Sequence, residues 1–176
     1  VQTLYTLAYP DVPAEPATFM EDFKRAHALP GHAFVAPHFT LVFGCAAVAQ
    51  DVYTRHVAQV ARESAPIRFA CRYAMLGADD EGDTAYVFLV PDDGFAALSL
   101  LHDRLYAGPL EAFLRLDLPY IPHVTIAAMK DRRGAKALCD RLNAAGVRVE
   151  GWVRRLTVCS REDGHLRDAS SHLLAA

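Results

Sequence analysis

The sequence predicts an α+β fold of two similar lobes, with mostly antiparallel sheet flanked by helices, in one continuous domain over residues 1–176. Three observations predict it. The stretches "PHFTLVFG" (37–44) and "PHVTIAAM" (122–129) both spell Pro-His-apolar-Thr-apolar. Each closes the same run of elements, strand then helix then motif strand, once near the N-terminus and again over 84–128. No low-complexity linker divides the chain, and 176 residues suffice for one compact domain or two small halves sharing a core.

"TLYTLAY" (3–9) alternates and is rich in β-formers, so it reads as a strand. "PDVPAEPA" breaks it, and Pro16 suits the first turn of a helix. In that helix Phe19, Phe23 and Ala26 recur on one face, with Glu21, Asp22, Lys24 and Arg25 outward, and Pro30-Gly31 marks its end. The first motif strand follows at 38–44, closed by Gly44. Asp51 is placed to cap a second helix carrying Tyr53, Val57 and Val60, which ends near Ser64.

"IRFACRYAML" (67–76) alternates, with Ile67, Phe69, Cys71, Tyr73 and Met75 on one face and Arg68 and Arg72 on the other. An acidic turn, "GADDEGD", leads into the apolar strand "TAYVFLV" (84–90), giving an antiparallel hairpin. A third helix over 93–107 turns Phe95, Leu98, Leu101 and Leu105 inward and stops at Gly108-Pro109. The second motif strand is 122–128. A fourth helix at 131–145 carries Ala135, Leu138, Cys139 and Leu142 and ends at Gly146. Two strands, 147–161 and 165–174, turned by "EDG", complete the chain.

A composition of 52% hydrophobic and 22% charged residues is that of a soluble globular protein. With a net charge of -3 the chain has no global basic field to hold a long nucleic-acid backbone, which favours a small or short phosphate-bearing substrate. Cys45, Cys71, Cys139 and Cys159 lie apart in apolar runs, as expected for reduced core thiols of a cytoplasmic protein. No run is long enough to cross a membrane, and the start lacks the layout of a signal peptide.

Along a strand alternate residues share a face, so His38 and Thr40 project together, as do His123 and Thr125. Phe39, Leu41 and Phe43, like Val124 and Ile126, then point into the lobe cores. If a pseudo-two-fold axis relates the lobes, both polar faces line one central cleft. Two imidazoles across a cleft suit acid/base chemistry near neutrality, one taking a proton and the other giving one. Two threonine hydroxyls supply hydrogen bonds to non-bridging phosphate oxygens. Such a site needs no metal and no cofactor. A lone His-x-Thr on a strand is common and reads as an ordinary core or surface histidine. The second copy at the matching point of a structural repeat is what points to function.

The pair "HFTL" (38–41) and "HVTI" (123–126), with the element order around it, resembles the 2H phosphoesterase superfamily, which includes 2′-5′ RNA ligase-like proteins and cyclic nucleotide phosphodiesterases. The resemblance covers nearly the full length. It implies a bilobal fold with pseudo-two-fold symmetry and metal-independent phosphodiester chemistry, with catalytic roles for His38, Thr40, His123 and Thr125. The implied substrate is a small nucleotide cyclic phosphate or an RNA terminus, handled by a monomer without a membrane. Hydrolysis of a 2′,3′-cyclic phosphate and the reverse, ATP-independent ligation of a 2′-hydroxyl, both use this site. A nucleotide- or RNA-end-binding module without catalysis is the reading from another class. Some members carry a basic residue about where Ala128 stands; Lys130, two positions on, either substitutes for it or is solvated near the helix start.

Tyr5, Tyr9 and Tyr120 flank the predicted cleft strands and are candidates to stack on a base, packing at a lobe edge being the competing reading. Arg68 and Arg72 share one strand face and suit either phosphate or solvent. Arg154 and Arg155 are adjacent, so at most one faces the cleft. His27, His32, His56, His102, His165 and His172 form no H-E-x-x-H or similar ligand pattern. Serine-hydrolase, phosphate-loop and dinucleotide fingerprints are all lacking, which disfavours an ATP-dependent ligase.

Overall fold

The computed structural model describes residues 2–30, 35–78, 83–162 and 165–175. In chain order the elements are β1 (Thr3–Ala8), α1 (Ala14–His27), β2 (Phe39–Cys45), α2 (Gln50–Arg62), β3 (Ile67–Ala78) and β4 (Ala85–Asp93). There follow α3 (Phe95–Leu105), a 3-10 turn (Gly108–Phe113), β5 (Val124–Met129), α4 (Arg132–Ala144), β6 (Val149–Val153), β7 (Arg155–Glu162) and β8 (His165–Leu173). The tip of the β3–β4 hairpin, the turn before β8, the Pro30-Gly31 stop and His32 lie wholly or partly outside the described residues.

The eight strands form one sheet in the order β6-β3-β4-β5-β2-β1-β7-β8, and all neighbours pair antiparallel. The lobes are its two four-stranded halves. They meet at the motif strands, where Phe39 is paired with Val124. An antiparallel pair has a local two-fold axis between its strands, so the two motifs are related by rotation about this junction.

The sheet is curled. β6 and β7 are separated in sequence by Arg154 alone, yet β6 edges one half and β7 belongs to the other. The long strand expected over 147–161 is therefore two strands, because the chain crosses between lobes at Arg154. Asp11 bridges the gap, exchanging backbone hydrogen bonds with Trp152 at 2.8 and 2.9 Å. A Cβ at Gly151 would lie 2.3 Å from the Asp11 carbonyl oxygen, so only glycine admits this approach. The Arg154 guanidinium bonds Asp11 at 2.9 Å and lies 4.7 Å over the Trp152 ring, which fixes the crossing.

The helices cover the sheet. α2 packs on β1, β7 and β8, α3 on β2, β3 and β4, and α4 on β3, β4 and β5. Leu4, Phe39, Leu41, Phe69, Leu89 and Leu98 are fully buried between them. Each side chain of this size contributes about 1.5–3 kcal/mol by burial. Buried Tyr53 ties α2 to β1 through a 2.8 Å hydroxyl bond with Thr6. All four cysteines are free and buried. Among the described residues no helix is long and apolar enough to cross a membrane.

Several faces differ from the sequence expectation. In α1, Met20 and Lys24 are buried whereas Ala26 is exposed, because the helix packs on β5 of the other half with its face rotated. The N-cap of α2 is Ala49; Asp51 stands in the first turn, where its charge suits the helix dipole, and pairs with Arg55 at 3.0 Å. Phe95 opens α3 half-exposed, beyond the inward stripe of Leu98, Leu101 and Leu105. β2 and β3 each carry register shifts, and a β-bulge flips the side chains that follow it. Phe43 thus leaves the core face shared by Phe39 and Leu41, and Tyr73 leaves that of Phe69 and Cys71.

Candidate active site

Both motif histidines stand at the threshold of their strands, immediately before Phe39 and Val124. Phe39 and Val124 are buried in the core, and alternation turns the four polar motif side chains the other way. His38, Thr40, His123 and Thr125 all line one cleft of about 740 Å³. The two histidines are half-buried.

The prolines explain how the imidazoles are held. A residue before proline is confined to extended backbone, and proline fixes the next φ. In each motif this brings the carbonyl two residues back under the ring. His38 Nδ1 donates to the Ala36 carbonyl at 2.7 Å, and His123 Nδ1 donates to the Ile121 carbonyl at 2.7 Å. A carbonyl only accepts, so Nδ1 carries the proton and Nε2 of each neutral ring is left as the acceptor.

The rings differ in their surroundings. His123 lies flat on Phe88, with centroids 3.8 Å apart, and Phe88 in turn stacks on Tyr86 at 5.7 Å. His38 meets Tyr9 edge-on at 6.0 Å. Burial depresses the basicity of both. His38 falls to about 4, mainly by desolvation and further by the charges of Lys24 and His123, against the opposing pull of its backbone bond. His123 is lowered by desolvation alone, opposed by its bond to Ile121. Without a ligand both imidazoles are therefore neutral at pH 7.

Of the flanking candidates, Tyr5 lines the cleft. Tyr120 lines it too, but its hydroxyl donates to the Thr40 carbonyl at 3.0 Å and its ring stacks on His102 at 3.7 Å. Tyr9 reaches the site through its edge contact with His38, its hydroxyl donating to Asp168 at 3.4 Å. Lys130 is not a lining residue; its amine donates to Thr84 at 3.3 Å. Arg68 and Arg72 are engaged with Asp93 and Asp92, and Arg154 with Asp11, away from the cleft. Arg155 lines no part of it either.

Sequence reasoning missed two cations, Lys24 and Arg161, and the aromatic Phe43, Tyr86 and Phe88 as lining residues. Tyr86 and Phe88 sit two apart on β4, a spacing that already places them on one face. Lys24 follows Met20 by four, so their shared burial is a helical-spacing signal hidden by the charge. Phe43 carried no signal, because only the bulge turns it toward the cleft. Among the described residues no group of three or more His, Cys, Asp or Glu side chains is arranged to hold a metal ion.

The model of the 2′-5′ RNA ligase superfamily matches residues 10–165, which include both motifs. The chain belongs to this superfamily. No curated protein matches it in sequence. Solved structures of the same fold include TT0787 of Thermus thermophilus, at 17% identity and a TM-score of 0.64, covering 98% of this chain and 97% of that one. E. coli LigT in complex with NADP+ follows at 16% identity and 0.59, covering 99% and 98%. Kluyveromyces marxianus Usb1 shares the fold at 9% identity and 0.56, covering 99% and 98%. In this superfamily member the two motifs sit at the centre of the shared fold.

Proposed function

We propose that the protein is a phosphodiesterase that hydrolyses 2′,3′-cyclic phosphates of nucleotides or RNA ends by paired-histidine acid/base catalysis, without a metal. The observation that carries this reading is the matched pair of Nδ1–carbonyl bonds, which leaves two Nε2 atoms for one cleft. In the reaction, Nε2 of one histidine accepts a proton from water as its oxygen attacks phosphorus. The bond from phosphorus to one ribose oxygen breaks, and the other histidine, protonated beforehand, gives that oxygen its proton. The product is a phosphomonoester. Thr40 and Thr125 donate to the non-bridging oxygens.

Both rings are neutral in the empty cleft, so the acid's proton is taken up with the substrate. An anionic phosphate beside the imidazoles favours their charged form. LigT structures are described with 3′-AMP and with phosphate, which supports a nucleotide phosphate as the ligand class here. With the 5′-hydroxyl of a second ribose in place of water, the same steps break the bond from phosphorus to the 3′-oxygen, which takes the acid's proton, and form a 2′-5′ linkage without ATP. Free, buried thiols suit the reducing cytoplasm in which RNA ends are processed.

The test is turnover of a panel of 2′,3′-cyclic nucleotides and cyclic-phosphate RNA ends with metals chelated. Release of a phosphomonoester is expected. Tight binding without turnover on every member would favour the non-catalytic module instead.

A further inference from the structure

Lys24 belongs to neither motif and lies on α1, the helix that packs against β5. Only 4% of its surface is exposed, yet it lines the cleft together with His38 and His123. Its Nζ donates to the Val35 carbonyl at 2.6 Å, on the segment that leads into His38. An ammonium has three donors, and this bond uses one. Among the described residues no carboxylate pairs with it, and no Asp or Glu lines the cleft. A buried charge without a counter-ion is costly to a fold, and an anion entering the cleft would supply the missing partner.

We propose that Lys24 is a phosphate-binding residue of this cleft, holding the substrate's anionic oxygens from helix α1 beside the His38 half of the site. The proposal rests on reading the cleft as a phosphodiester site, and it names a contact outside the paired motifs. Lys24 also breaks the symmetry of the pair. Its charge reaches His38 and has no counterpart acting on His123. Burial lowers the ammonium to about 8, so it is charged at neutral pH and loses its proton only slightly above it.

Sulfate is a suitable probe, because its charge is constant while Lys24 titrates. Binding is read from the His38 and His123 ring-proton shifts in the wild type, Lys24→Met and Lys24→Arg at about pH 7 and about pH 9. Without a ligand both histidines are neutral over this range, and burial pushes the lining Tyr120 hydroxyl upward, away from it. Any proton the histidines take up with the anion, and the lining Tyr5 and Arg161, remain in all three proteins, so the difference between them reports Lys24. The wild type should lose roughly tenfold in affinity on going to the higher pH, as a charge-assisted contact is lost. Lys24→Met should be roughly tenfold weaker at the lower pH and show only the smaller step that the histidines contribute, while Lys24→Arg should bind at both.

Lys24→Met binding sulfate like the wild type, or a wild type that binds no sulfate at neutral pH, would overturn the proposal. Turnover of a 2′,3′-cyclic nucleotide is measured alongside. Sulfate binding that depends on Lys24 in a protein without turnover would refute the hydrolase reading and leave Lys24 as an anion contact. Turnover without Lys24 dependence would do the reverse.

Discussion

Phe88 lies flat against the imidazole of His123, ring centroids 3.8 Å apart and planes 25° from parallel. The contact shields one face of that imidazole from water, and burial is what lowers its basicity. Phe88→Ala should therefore raise the His123 midpoint toward the ordinary histidine value, followed by NMR titration of its ring protons. Gly77→Ala should act in the same direction, since a Cβ there would fall 2.2 Å from the Phe88 ring and displace it. An unchanged midpoint in both variants would mean that other neighbours bury the ring.

In the proposed hydrolysis each motif imidazole carries one of the two protons, so removing either breaks the pair. His38→Ala and His123→Ala should each lower kcat by roughly 10²–10⁴-fold. Both side chains are half-buried cleft residues rather than core, so the folded state should survive. Circular dichroism and thermal melting check the second point, turnover the first. A near-normal rate in either variant would contradict the paired mechanism.

The pH dependence follows from the signs of the two shifts. The proposed hydrolysis needs one imidazole neutral and the other charged. kcat/KM should therefore rise as pH passes the lower macroscopic pKa of the free pair and fall as it passes the upper. His38 lies at about 4 and His123 is also lowered, so the maximum should fall on the acid side of the ordinary histidine value. The Lys24 charge depresses His38, so Lys24→Met should move the rising limb to higher pH. A maximum well above neutrality would show that the pair does not govern the rate.

Tyr120 is placed to position Thr40, through its hydroxyl bond to the Thr40 carbonyl. Tyr120→Phe keeps the ring stacked on His102 and deletes only that bond, at a stability cost of about 1 kcal/mol. If Thr40 holds the phosphate in line, kcat should fall several-fold with KM little changed. A purely structural tyrosine would lower the melting temperature and leave that ratio alone.

Much of this site was legible because strand periodicity is rigid. His38 and Thr40 share a face on any regular strand, as do His123 and Thr125, whatever the tertiary context. What escaped depends on contacts distant in sequence. The bulge in β2 that turns Phe43 to the cleft arises in pairing with β1, and nothing local to "LVFG" signals it. The split at Arg154 exists because the sheet curls until Asp11 meets Trp152. Lys24 reads as a solvated charge on a helix surface, until α1 is seen to pack on the opposite half.

That burial also has a thermodynamic signature. The Lys24 ammonium falls from its ordinary value to about 8 on folding, because desolvation penalises its charge. Below that pH both the folded and unfolded chains carry the proton, and the full penalty applies. As pH rises from about 8 toward the unfolded value, the unfolded chain binds more proton than the folded one, so stability increases. Lys24→Met removes the charge and keeps the volume of an unbranched chain, at the loss of one bond to Val35. At neutral pH it should be more stable than the wild type by about 1–2 kcal/mol, the desolvation gain less the lost hydrogen bond. Its excess over the wild type should shrink as pH rises through the alkaline window. Denaturant titrations of the two proteins at several pH values measure both effects. A constant difference, or a less stable variant at neutral pH, would mean that the amine is solvated and that its place in the cleft costs the fold nothing.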